Sequence, residues 1–138
     1  MQVTYRFCPE RRLILAKYSG EVGTEHFINS YSEGRRVSAA TGATHAIFDF
    51  SAADLSTIQT HAILSLGSSP PVIPDGGTQC IVAPPDYMFG IARMFQAVTG
   101  RDMHICRSLE KAYAVLGIST APSFQDVTPG PNGTLSES

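Results

Sequence analysis

Residues 86–116, DYMFGIARMFQAVTGRDMHICRSLEKAYAVL, read as helix, turn, strand, turn, helix. At about 100° per residue, Tyr87, Met88, Ile91, Met94, Phe95 and Val98 fall on one broad side, the side expected to be buried. Phe89, Arg93 and Gln96 fall on the other. Asp86 is placed to cap the helix by accepting from a free N–H one turn in. Gly100 suits the left-handed position that closes it. Residues 103–107 follow as a short strand, Ser108 caps a last helix, and Gly117 ends that helix. A parallel sheet closes on such a unit.

Working outward, residues 3–7 alternate apolar with polar, and residues 13–20, LILAKYSG, are more continuously apolar. The short turn between them makes an antiparallel hairpin whose second strand lies further inside the sheet. Thr24 caps a helix running to about Ala39, with Phe27, Ile28, Tyr31 and Gly34 as its buried stripe. Residues 45–50, HAIFDF, form a strand. A helix spans roughly residues 55–66 with Leu55, Ile58, Ala62 and Leu66 inward. Residues 67–77, rich in Gly, Ser and Pro, form a loop long enough to serve as a lid or contact loop. TQCIVA, residues 78–83, is the next strand. After Ile118 three prolines, two glycines and few large apolar residues describe a flexible tail, residues 119–138. The expected fold is therefore α/β. It is one domain over residues 1–118, with a five-stranded, mixed, mostly parallel sheet, an N-terminal antiparallel hairpin that supplies an edge strand, and about four helices.

With 138 residues, 43% apolar and 16% charged, the chain can build a sizeable core. A net charge of −2 argues against a nucleic-acid face. Cys8, Cys80 and Cys106 match no zinc spacing and read as buried, reduced thiols. No signal peptide and no membrane-length apolar run is visible, so a cytoplasmic protein is expected. Asn132-Gly133-Thr134 fits a glycosylation triplet, which has no meaning in such a chain. No nucleophile elbow, phosphate-cradling loop or dinucleotide fingerprint occurs, and the four histidines lack metal spacing. No cofactor, metal or catalytic residue is assigned.

Three stretches, HAIFDFSAADLST, IVAPPDYMFGIARMFQ and CRSLEKAYAVLG, together resemble the bacterial STAS-like, SpoIIAA-like proteins related to anti-anti-sigma factors. The resemblance covers roughly residues 2–118. It implies a non-enzymatic regulatory module that binds a protein partner or another copy of itself. It also implies a phosphorylated serine where a helix begins after the central strand. Ser56, followed by Thr57, stands nearest that place. The family pattern Asp-Ser-Ser/Thr-Gly is here Leu55-Ser56-Thr57-Ile58, so the glycine is absent and the acid stands at Asp54.

Ligands of mixed sheets gather beyond the carboxyl ends of parallel strands. That edge collects residues 51–57, 84–89 and 107–108. Ser56 and Thr57 are candidates for a phosphate or anion site. Asp49, Asp54, Tyr87, Met88, Phe89 and Arg93 are candidates for partner or ligand contact. The alternative function is a carrier of a small molecule or lipid, with a pocket under the 67–77 loop lined by Met88 and Phe89. A third reading is a hydrolase or isomerase using Asp49 or Asp54.

Overall fold

The computed structural model describes residues 1–74, 76–129 and 135–137. Seven strands and four helices follow one another as β1 (Gln2–Cys8), β2 (Leu13–Glu21), α1 (Thr24–Thr41), β3 (His45–Asp54), α2 (Thr60–Ser65), β4 (Thr78–Val82), α3 (Asp86–Thr99), β5 (His104–Cys106), α4 (Leu109–Val115), β6 (Gln125–Pro129) and β7 (Leu135–Glu137). The sheet order is β5-β4-β3-β2-β1-β6-β7. The chain is α/β, as its alternation of strand and helix implies.

From β5 to β2 the neighbours run parallel, and from β2 to β7 antiparallel. The sheet is thus evenly mixed rather than mostly parallel. The hairpin's first strand, β1, is interior rather than at the edge, and β2 stands at the centre of the sheet. Both differences come from residues 119–138, expected as a flexible tail. Residues 125–129 instead pair with β1, Tyr5 opposite Val127 and Phe7 opposite Gln125. Val127 is buried in the main core and Phe124 packs on the other face of the sheet. Arg6 clamps the pair, donating to Asp126 at 2.9 Å and lying 5.5 Å from the Phe124 ring centroid. Two well-spaced apolar residues are enough once β1 offers an open row of backbone donors and acceptors. Residues 130–134, with the Asn132 triplet, lie outside the described residues.

Two cores flank the sheet. Helices α1, α2 and α3 cover one face, over Ile14, Ala16, Tyr18, Ala46, Phe50 and Ile81. Helix α4 covers the other, where Ala112 meets Leu13, Leu15, Ile47, Cys80, Val82 and Cys106. The three cysteines are buried and free, as small hydrophobes.

Local signals held where backbone geometry dictates them. Gly42 and Gly100 end α1 and α3 at φ 72° and 64°, a region a β-carbon disfavours. Ser108 caps α4 by accepting from the Lys111 N–H at 3.2 Å. Two expected caps are absent. Thr24 instead accepts from the Gln59 N–H at 3.3 Å, and Asp86 takes a hydrogen bond from Arg107 at 2.8 Å. At Gly77 a β-carbon would sit 2.0 Å from the Thr44 carbonyl oxygen, so only glycine lets the 67–77 loop enter β4 there.

Helix α3 departs most from expectation. Its buried residues are Met88, Ala92 and Phe95, whereas Tyr87, Met94 and Val98 are exposed. The inward face is turned roughly 70° from the one the apolar residues mark, at 100° per residue.

Candidate functional site

Strand β3 runs on past Phe50 to Asp54, paired there with β2 alone, and α2 begins only at Thr60. Ser56 and Thr57 therefore lie in an exposed turn before the helix, not at its N-terminus. The free N–H groups that would favour a phosphate at a helix start are several residues further on. Asp54 is bound into the same turn. Its Oδ1 accepts from the Ser56 N–H at 2.9 Å and from the Tyr87 hydroxyl at 3.5 Å. The Tyr87 oxygen in turn accepts from the Leu55 N–H at 3.2 Å. Hydrogen bonds from the Ser56 hydroxyl and N–H hold the Asp54 carboxyl below its usual range.

Asp49 is elsewhere. It is buried, and its Oδ1 accepts from the Ser51 N–H and hydroxyl at 3.0 and 2.6 Å. Five residues along a strand put it about 16 Å from Asp54, at about 3.3 Å per residue. The two carboxylates do not form an acid–base pair. Among the described residues no three His, Cys, Asp or Glu side chains gather as a metal site.

Phe89 is half-buried, which agrees with its place outside the helix's core face. Arg93 lies over its ring at 5.9 Å, as the one-turn spacing suggests. The closer cover is Arg107, 4.0 Å from the centroid, which also donates to the Pro84 carbonyl at 2.9 Å and pairs with Asp86. Thus Phe89, Arg93, Asp86 and Arg107 form one group, Tyr87 and Asp54 a second, and Asp49 stands apart.

The concave site lies apart from all of these, between the sheet and helices α1 to α3. Tyr18, Phe48, Phe50 and Ile81 form its floor, with Phe27 and Tyr31 of α1, Ile58 and Ile63, and Met88, Ile91 and Phe95 of α3 over them. It has about 60 Å³ of space in which the centre of a water molecule fits. The sequence points to a pocket under the 67–77 loop with Met88 and Phe89. Met88 does line this one, but Phe89 and the loop do not. Phe89 faces Arg107 instead, and the loop packs Val72 against Gly34 of α1.

The residues around the cavity are apolar except for Tyr18, Ser30 and Tyr31, which carry hydroxyls, and Gln79, which carries an amide. Tyr18 stacks on Phe50 with centroids 4.3 Å apart and donates to Ser30 Oγ at 3.3 Å. Ser30 Oγ donates to the Phe27 carbonyl at 2.8 Å, and its own carbonyl accepts from the Tyr5 hydroxyl at 3.3 Å. Burial pushes the Tyr18 hydroxyl up to about 12, and pushes Tyr5 upward too, so this corner stays neutral. Such a wall can shelter an apolar group and offers few donors to orient it.

Tyr31 differs. Arg101 donates to its hydroxyl and to the Ser69 carbonyl, while Arg35 donates to the Pro70 carbonyl at 3.3 Å. No local signal marks Arg101; only the fold brings the α3–β5 turn against α1. Neither the protein-family models, the curated proteins nor the solved structures include a match to this chain.

Proposed function

We propose that this chain is a non-enzymatic binding module that holds a small apolar molecule between its sheet and the α1–α3 layer. The observation that carries it is the cavity, a mostly apolar space with a few polar groups at its wall. Its interior exceeds the ~10–15 Å³ that one water needs, and an apolar space of this kind gains little from water. The dispersal of Asp49, Asp54 and Ser56 supports a binding role over a hydrolytic one.

The STAS-like resemblance belongs to this reading as its regulatory frame. The order of a hairpin followed by strand–helix units agrees with it, and a cytoplasmic place goes with it. Ser56 and Thr57 are exposed hydroxyls that a kinase could reach, although no helix dipole assists a phosphate there. A second reading, docking of a protein partner or another copy of this chain, is favoured by one observation. Tyr87, Met94 and Val98 form an exposed apolar stripe along α3.

Native mass spectrometry of the protein purified from its own source tests both. A retained small molecule, released on unfolding, supports the cavity reading. A stoichiometric protein partner with an empty cavity moves the function to the stripe.

A further inference from the structure

We propose that the molecule held in the cavity carries an anionic head, a carboxylate, and that Arg101 and Arg35 receive it beside Tyr31. This rests on the reading of the cavity as a ligand site.

Tyr31 connects the two environments. Its ring lines the apolar space and meets Phe95 edge-on, with centroids 6.3 Å apart. The same ring carries two cations, with the Arg35 and Arg101 guanidinium carbons 5.7 and 5.6 Å from its centroid. Two like charges beside one ring repel each other, and an anion within reach of both relieves that repulsion.

The protein supplies none among the described residues. The ion pairs recorded there are Arg6 with Asp126 and Arg107 with Asp86, and neither reaches this corner. Asp102, next in the chain to Arg101, is exposed and forms no ion pair. Arg101 spends its donors on the Tyr31 hydroxyl and the Ser69 carbonyl, and Arg35 spends one on Pro70. A guanidinium has five N–H groups in a planar fork, so both keep donors for an anionic group such as a carboxylate, which that fork fits side by side. Holding Arg101 partly out of water has a cost, which burial registers by lowering its pKa.

An acyl chain attached to that head would run from Tyr31 past Phe95 toward Met103 and Met88. The present interior takes a few carbons. The two methionines, unbranched and easily repacked, can make room for more.

The test titrates octanoate and 1-octanol, which share a chain and differ in charge, into ¹⁵N-labelled full-length protein and reads amide shifts. Octanoate should bind at least ~10-fold tighter than octanol, as expected for charge-assisted hydrogen bonds. Arg101→Gln should remove that advantage and leave octanol binding unchanged, and Arg101→Lys should keep part of it. Equal affinity of the two probes in the native chain overturns the anionic head and leaves the cavity reading standing. Equal weakening of both probes by Arg101→Gln overturns the head as well, since it makes Arg101 a structural strap for the loop. No binding of either probe removes the cavity reading, and the inference falls with it.

Discussion

Met88 is the side chain on which the cavity can be tested most directly. It is 1% exposed and lines the space from the α3 side. Met88→Ala removes three heavy atoms beyond Cβ. At ~0.8 kcal/mol per methylene-sized group the lost transfer energy is about 2.4 kcal/mol. The enlarged void adds to that, so the whole loss should be about 3 kcal/mol, inside the range for buried Met→Ala changes. In urea, with a slope of about 1.5 kcal/mol/M, the midpoint should fall by ~2 M. Apolar ligand at ten times its Kd should then restore about 1.4 kcal/mol, because it binds the folded chain alone. A loss below ~1 kcal/mol with an unchanged slope would falsify the premise that Met88 packs closely against the wall of the space.

Other regions carry their own tests. Val127→Ala should cost about 2 kcal/mol in the same denaturation experiment, since Val127 is 7% exposed in the main core; a change under ~0.5 kcal/mol would return residues 125–129 to a loose tail. Phe89→Ala should lose about 2 kcal/mol, from a half-buried ring and its Arg107 stack, with sedimentation unchanged; the opposite pair of results would make the ring an interface anchor. Burial pushes the Cys80 thiol up to about 12, so a thiol reagent at pH 8 should label Cys80 on the order of 100-fold faster in urea than in the native chain. The Asp54 carboxyl, held down by Ser56, should titrate below the ~3.9 of a free aspartate in a ¹³C NMR titration. Its contribution to folding is then complete at neutral pH and fades as pH falls through the folded-state value. A midpoint at or above the free value would show that the Ser56 contacts do not persist in solution.

What could be read from sequence was whatever depends on neighbours in the chain. Gly100 and Ser108 end and begin helices through their own backbone geometry and hydroxyl, and both do so in the fold. The strands around LILAKYSG and HAIFDF declare themselves by continuous apolar runs. Strand β6 did not, because Phe124 and Val127 are three residues apart among polar ones, and their burial depends on β1, over a hundred residues earlier. The cavity was equally hidden. Its wall draws on three strands, three helices and the turns beside them, and no spacing rule relates Tyr18 to Met103. Arg101 lay in a turn that sequence gives no reason to single out. Asp49 and Asp54 are close in sequence, yet both lie on β3, and an extended strand separates neighbours faster than any other element.

The rotation of α3 ties these observations together. Counting apolar residues favours turning Tyr87, Met94 and Val98 inward, which would fill the space that the present orientation leaves. Magnitudes explain why the helix does not. Those three side chains are only 45, 38 and 37% exposed, so finishing their burial would gain roughly 2–3 kcal/mol together. The same roll would bring out Met88 and Phe95, now 1 and 8% exposed, at roughly 4 kcal/mol. It would also break polar ties that fix the present angle. Gln96 donates to the Met103 carbonyl at 2.9 Å, and Tyr87 holds the Leu55 N–H. Each is worth about 1 kcal/mol. The exposed Asp86–Arg107 pair adds at most ~1 kcal/mol. The helix is therefore held at its angle by a margin of several kcal/mol. Two consequences of that one angle follow: an under-filled apolar space beneath α3 and an apolar stripe along its outside. A molecule that fills the space adds to the same margin, because it contacts Met88 and Phe95 where they now stand and would lose both contacts if the helix rolled.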